Sequence, residues 1–357
     1  MAFGVYVHIP FCSRRCDYCA FATWTDRHHL MAAYAAACRR EVIEAGLDPA
    51  TSVFFGGGTP SLLPADLLTA MLGSISMAPG AEVTVECNPE TVSPELLVAL
   101  RGAGVNRLSF GVQSMVPHVL AGLGRDHDPA TVRNAVRWAR DAGFEDSFNV
   151  DLIYGGAGES VDDWGRTLDE VLALDPPHVS AYALTVEPGT PLAADPRRHP
   201  DDDDQADKYT LADSKLGDAG LAWYELSNWA RPGHECRHNQ LYWAQGDYRG
   251  IGCAAHSHQG GRRWWNVRTP ERYLRAVATG RSPIAGEERL DPPVRALEAL
   301  QLALRTRDGV PAAALPDDPG LAGLVRRSGS RARLSLQGRL LENEVAARLV
   351  DPASVPG

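Results

Sequence analysis

From Gly4 to about Thr185, short β-branched or aromatic runs alternate with amphipathic stretches. That alternation constrains the fold more than any other feature, because strands separated by helix-length segments pair in parallel through crossover connections. The strand-like runs are Gly4 to Ile9, Thr51 to Phe55, Glu82 to Cys87, Arg107 to Phe110, Phe148 to Tyr154 and Val179 to Leu184. Helical periodicity, several times opened by Pro or by Ser/Asp start signals, occupies Leu30 to Ala45, Pro64 to Met71, Pro94 to Arg101, Ala130 to Ala142 and Val161 to Leu174. Six such units predict an α/β chain whose core is a partial (β/α)6, TIM-barrel-like sheet.

The remainder reads differently. Pro196 to Asp204 is rich in Pro and Asp and reads as a solvated loop, its run Asp201 to Asp204 being a helix start or surface feature rather than a metal site. Residues 205–290 are irregular and rich in Trp, Tyr, His and Gly, where a substrate-facing extension belongs. From about Pro293 a helix (Val294 to Leu304), a punctuated linker, an Arg-rich stretch (Arg326, Arg327, Arg331, Arg333) and a last helix after Gln337 suggest a small, mainly helical, winged-helix-like unit. The Arg-rich stretch reads as a solvated hairpin before it reads as a contact for an acidic partner. The expected domains are 1–225 (core barrel), 226–290 (irregular extension) and 291–357 (C-terminal unit).

At 357 residues, with 44% apolar and 22% charged, the composition is that of an ordinary globular chain with ample core. A formal charge of −10, from 35 Lys+Arg against 45 Asp+Glu, disfavours broad nucleic-acid binding. No apolar stretch approaches the ~18 residues of a membrane span. Arg14 and Arg15 follow the apolar run Val5 to Phe11 instead of preceding it, which is not a secretory pattern, so a cytoplasmic location is expected. Seven cysteines, an odd number, suit metal chemistry in a reducing compartment better than a disulfide framework.

Three of them, Cys12, Cys16 and Cys19, form CxxxCxxC directly after the first strand. Three thiolates at that spacing can hold three corners of a 4Fe-4S cluster and leave one iron open to a small molecule. The alternative is a zinc site, which needs a fourth ligand, and His28 or His29 is nearest. Further candidates sit where strands end, the functional rim of a βα barrel. Gly56, Gly57 and Gly58 with Thr59 follow the second strand and let backbone approach a ligand. Glu86 and Asn88 end the third strand, Gln113 follows the fourth and Asp151 lies in the fifth.

The cysteine motif and its position resemble the radical S-adenosylmethionine (SAM) superfamily, in which SAM chelates the open iron through its amino and carboxylate groups. The strings GGGTPS, VECNPET, RLSFGVQS, GRDHD, NVDLIYG and YALTVEPGTPL resemble one branch of it, oxygen-independent coproporphyrinogen III dehydrogenase and its relatives, over about residues 4 to 357. The resemblance implies a 4Fe-4S cluster on Cys12, Cys16 and Cys19, with Tyr6, Tyr18, Gly57 and Glu86 beside the cluster-bound SAM. It also implies that Gly58, Thr59, Gln113, Arg125, Asp151 and Ala183 line a neighbouring pocket, where the dehydrogenase holds a second SAM. Two departures matter. The dehydrogenase has a further cysteine two places beyond its third, where Cys19 here is followed by Ala20 and Phe21, and it carries a long N-terminal arm where only eleven residues precede Cys12.

The string HNxxYW, from His238 to Trp243, resembles the signature of the haem chaperones of this branch, the HemW type. That implies haem as cargo, apo-haemoproteins as recipients and His238 as the iron ligand, with Arg231, Arg237 or Arg249 available to propionates. A plain reading of the same residues has His238 and Asn239 pinning a loop to the barrel, and His256, His258 and Cys253 are rival iron ligands. GIGCAAHS departs from its relatives at Cys253 and Ala254, where glycine and proline are usual. The expected function is a haem chaperone with cluster and SAM; the competing readings are coproporphyrinogen III dehydrogenase, a radical SAM methyltransferase or haem-modifying enzyme, and, from another class, a zinc-stabilised DNA regulator. A homodimer is compatible with all of them.

Overall fold

The computed structural model describes residues 2–350; the last part of the expected C-terminal unit, 351–357, lies outside the described residues. Six strands, β1 (Phe3–Ile9), β2 (Ala50–Gly57), β3 (Met77–Cys87), β4 (Arg107–Gln113), β5 (Phe148–Tyr154) and β6 (His178–Ala183), pair in chain order and all in parallel. Between them run α1 (Met31–Ala45), α2 (Ala65–Leu72), α3 (Pro94–Gly102), α4 (Pro117–Gly122), α5 (Pro129–Asp141) and α6 (Val161–Leu172). Every expected unit is present. The short α4 before α5 was not expected.

Local chemistry explains the helix starts. Ser93 Oγ accepts from Leu96 N at 3.2 Å, Asp128 Oδ1 from Thr131 N at 2.7 Å, and Ser160 with Asp163 forms a reciprocal capping box. Helix α5 turns Val132, Ala135, Val136 and Ala139 inward, and α6 turns Trp164, Leu168 and Val171. These pack on strands whose own residues are buried on both faces, as in helix-covered parallel sheets. One continuous apolar core runs from Phe3 to Val277.

Beyond β6 the expectation of an irregular extension is corrected. Helix α7 (Asp202–Asp218) precedes the hairpin β7 (Ala222–Glu225) and β8 (Asn228–Ala230); then come α8 (Arg237–Trp243), β9 (Asp247–Ile251), β10 (His256–Gln259), β11 (Arg262–Asn266), α9 (Pro270–Ala278) and β12 (Ile284–Arg289). All the strands join one sheet in the order β12-β11-β10-β9-β1-β2-β3-β4-β5-β6-β8-β7. Strand β9 lies parallel to β1, while β10 to β12 and β8–β7 continue antiparallel at the two edges. The boundary expected at 225/226 therefore falls inside a hairpin. These strands are three to six residues long and mix aromatic with polar residues, too short for alternation to register. The loop expected over Pro196 to Asp204 ends early: Asp201 caps α7 and Asp202 to Asp204 form its first turn, where carboxylates favour the helix dipole.

The C-terminal unit holds α10 (Pro292–Leu304), β13 (Val310–Pro311), β14 (Val325–Ser328), β15 (Arg331–Leu334), α11 (Leu336–Leu340) and α12 (Glu342–Ala346). Its sheet runs β13-β15-β14, the Arg-rich stretch forming the expected hairpin, over a separate core that includes Leu304, Val310, Leu334 and Val345. Ion pairs tie it to the main sheet: Arg339 to Asp213 on α7, Arg305 to Glu225 and Arg307 to Glu235. Among the described residues no helix is long and apolar enough to cross a membrane.

Candidate functional site

The cysteine loop leaves β1 through Pro10 and Phe11. Cys12 N donates to Trp24 O at 3.1 Å and Trp24 N to Pro10 O at 2.8 Å, closing the loop at its base; Asp17 N donates to Leu123 O at 3.3 Å, and Asp17 pairs with Arg198 at 2.7 Å. The three thiols are half-buried and line one cavity. Thr59 Oγ1 lies 3.6 Å from Cys12 Sγ and donates to it, and Arg125 Nη1 donates to Cys16 Sγ at 3.6 Å. Burial pushes the Cys12 thiol up to about 11 and raises Cys19, so metal must displace protons to bind.

These residues fit an iron–sulfur cluster. Donors aimed at sulfur stabilise a thiolate set, and at Gly58 a Cβ would stand 3.1 Å from Cys12 Sγ and 2.7 Å from Phe11 O, so only glycine leaves the thiol room. A single zinc ion fits poorly. Among the described residues no three His, Cys, Asp or Glu side chains gather closely enough for one ion, and His28 directs Nε2 at the Cys12 carbonyl, 2.9 Å away.

The cavity occupies about 720 Å³ at the C-terminal ends of the parallel strands. All six of β1 to β6 contribute to its wall, which requires the sheet to curl as a partial barrel does. Tyr6 comes from β1, with its hydroxyl 3.2 Å from His8 Nδ1. Gly57, Gly58 and Thr59 come from the β2 exit. Gly57 has φ +110, and a Cβ there would sit 2.4 Å from the His8 ring. Glu86 on β3 accepts from Gly57 N at 3.1 Å; burial, aided by the nearby Asp151 charge, lifts its carboxyl to about 8.

Gln113 ends β4 at φ 64, a conformation that non-glycine residues seldom adopt. Asp151 on β5 accepts from Ser109 Oγ at 2.7 Å and Asn149 Nδ2 at 2.8 Å, yet burial still raises its carboxyl. Ala183 ends β6. Tyr18 lines the cavity from the cysteine loop, beside Cys16. Arg125, between α4 and α5, donates to Asn88 Oδ1 at 2.9 Å and Gly111 O at 3.0 Å as well as to Cys16. The structure thus gathers Tyr6, Tyr18, Gly57, Gly58, Thr59, Glu86, Gln113, Arg125, Asp151 and Ala183 with the three cysteines round one cavity.

Sequence reasoning missed the polar floor. Asn149 Nδ2 donates to Ser109 Oγ at 2.7 Å and Ser180 Oγ at 3.1 Å, and Thr84 Oγ1, Arg107 Nη2 and Arg125 Nε are buried without partners. Unpaired buried donors in a cavity wall call for a polar ligand. The available signal was the strand alternation itself, which places Asn149 on the same face as Asp151.

His238 is elsewhere. It is 0% exposed, with Nδ1 2.9 Å from Ser52 Oγ, Nε2 2.8 Å from Tyr242 Oη and its ring stacked on Phe54. Burial lowers it to about 3. Both nitrogens are engaged: here His238 pins α8 to β2, the plain reading of the motif, while Asn239 and Tyr242 of the same motif face the cavity. The arginines suggested for propionates are also engaged: Arg231 with Asp175, Arg237 with Gly80 O at 2.9 Å, and Arg249 with Glu41 at 3.5 Å. Cys253 is 0% exposed against the Tyr34 hydroxyl, and His258 has Nδ1 2.9 Å from Gly246 O and Nε2 3.2 Å from Gly261 N.

Residues 6–171 match the family model of the radical SAM superfamily. The chain is 43% identical over 374 residues to the heme chaperone HemW of Mycobacterium tuberculosis, covering 98% of this chain and 95% of that protein. It is 33% identical over 370 residues to the heme chaperone HemW of Bacillus subtilis, covering 96% and 97%. The solved structure of coproporphyrinogen III oxidase (HemN) from Escherichia coli, a radical SAM enzyme, superposes with a TM-score of 0.85 over 97% of this chain and 89% of that one, at 23% identity, which is a likeness of fold.

Proposed function

This chain belongs to the HemW family of the radical SAM superfamily, and from that premise we propose that it is a cytoplasmic haem chaperone that carries a 4Fe-4S cluster and SAM and delivers haem to apo-haemoproteins. The observation that carries the reading is kinship along almost the whole chain, 98% of it at 43% identity, with a protein named a heme chaperone.

Cys12, Cys16 and Cys19 would hold the cluster, whose open iron would accept SAM as a ligand and which would supply an electron for cleavage of the sulfonium. The chain's own residues do the rest. The Thr59 hydroxyl and Arg125 guanidinium donate to two of the sulfurs and offset thiolate charge. Gly57 and Gly58 bring backbone close to the ligand. Glu86, raised to about 8, holds a proton on its carboxyl near neutral pH and can release it when a cationic group comes alongside. Tyr18 and Tyr6 supply apolar wall, and Arg107 Nη2 and Thr84 Oγ1, both without a partner, supply donors deeper in.

Coproporphyrinogen oxidation is disfavoured by Ala20 and Phe21, which stand where the dehydrogenase continues its cysteine motif. Anaerobically reconstituted protein is expected to contain iron and sulfide, to bind haem with a defined Soret band and to pass it to an apo-haemoprotein. With SAM and reductant it should release no carbon dioxide from coproporphyrinogen III. Stoichiometric release would return the enzyme reading, and zinc without sulfide would sink the cluster.

A further inference from the structure

A second cavity of about 610 Å³ shares Tyr6, Gly57, Glu86 and Tyr242 with the first and opens on the other side of β1, toward β10 and α10. Its size is within the ~300–1,000 Å³ of ligand pockets. Three histidines reach its wall. His8 has Nδ1 3.2 Å from the Tyr6 hydroxyl and Nε2 2.9 Å from Ala22 O. His258 is equally engaged. His256 is exposed, its ring makes no hydrogen bond among the described residues, and it is stacked on Trp265 with centroids 5.8 Å apart.

The other walls suit a flat apolar dianion. Phe21, which directly follows the cysteine motif, is 66% exposed, an unusual exposure for a phenylalanine, and Tyr242, Tyr248 and Leu302 add apolar surface. Two arginines line the cavity. Arg263 is neutralised by Glu288 and Glu298, whereas exposed Arg268 makes no hydrogen bond or ion pair among the described residues. Partial shielding of the ring by the cavity wall, with Arg263 nearby, lowers the His256 imidazole although the residue is exposed, which favours the neutral form that binds iron.

We propose that this second cavity is the haem site, with His256 ligating the iron, Phe21 and the two tyrosines facing the porphyrin and Arg268 binding a propionate. The proposal rests on the haem-carrier reading. Haem would then sit against the wall it shares with the SAM cavity, separated from the cluster loop by little more than Ala20 and Phe21.

The test is haem titration of the reconstituted full chain. Wild type is expected to give a saturable Soret band. His256→Ala is expected to shift that band and the iron spin state, with added imidazole restoring them, and Arg268→Ala to weaken binding about tenfold, as loss of one charge-assisted hydrogen bond does. His238→Ala should keep the wild-type spectrum. Iron and sulfide content, unchanged in the two surface variants, shows that they fold. An unaltered spectrum in His256→Ala, or an altered one in His238→Ala that imidazole restores, overturns this site while leaving the haem-carrier reading intact. Absence of saturable haem binding by wild type overturns both.

Discussion

Replacing Glu86 by Gln should flatten the pH dependence of folding in the cluster-free protein. Glu86 has its carboxyl at about 8 in the folded chain against an ordinary 4.5, mainly through burial. Below about pH 4.5 both folded and unfolded chains carry the proton, and the group costs nothing. Between the two values the unfolded chain has released the proton while the folded chain retains it, so stability falls as pH rises and the whole penalty is present above about pH 8. A shift of about 3.5 units at ~1.36 kcal/mol each is at most about 5 kcal/mol; water in the cavity lowers this to roughly 2–4 kcal/mol. Gln keeps an oxygen for the Gly57 N–H and cannot ionise. Urea unfolding at about pH 5 and about pH 8.5, followed by tryptophan fluorescence, measures the gap between variant and wild type; Asp151, also raised, remains in both. The gap should widen in the variant's favour by roughly 2–4 kcal/mol across that range. A gap that stays constant refutes the reasoning.

Cys12→Ala, Cys16→Ala or Cys19→Ala should each abolish iron and sulfide incorporation, since a three-ligand site has no spare thiolate, whereas Cys38→Ala, whose thiol is buried under Tyr273, should retain both on metal analysis. Gly57→Ala should lower stability by about 2–4 kcal/mol, read as a fall in the denaturation midpoint, because it combines a left-handed backbone with a Cβ 2.4 Å from His8. Lys208→Ala removes a fully buried ammonium that donates to Glu159 O at 2.7 Å and Asp204 Oδ2 at 2.6 Å, stranding the Glu159 carboxyl; about 3–5 kcal/mol should go, visible as a lower Tm. Arg339→Ala breaks two 2.7 Å bonds to Asp213 and the stacking on Trp223, and should make the C-terminal unit more susceptible to limited proteolysis than the barrel.

What was readable in the sequence follows from local rules. Strands covered by helices on one face keep β-branched and aromatic residues there, so Val5 to Ile9 and Phe148 to Tyr154 announce themselves even with His8, Asn149 and Asp151 among them, and Ser93, Asp128 and Ser160 mark helix starts because their side chains cap neighbouring amides. The CxxxCxxC spacing is likewise local, one loop presenting three thiols. Strands β9 to β12 went unread, since runs of four to six residues of mixed polarity carry little alternation and β9 finds its pairing with β1, distant in sequence. The histidines divide on the same principle. The sequence places His238 and His256 in aromatic surroundings alike, but the packing of α8 against β2 gives both nitrogens of His238 to Ser52 and Tyr242, while the β10–β11 pairing sets His256 beside Trp265 at a cavity wall. Which imidazole is free depends on partners supplied from up to 186 positions away, and only the folded chain brings those partners together.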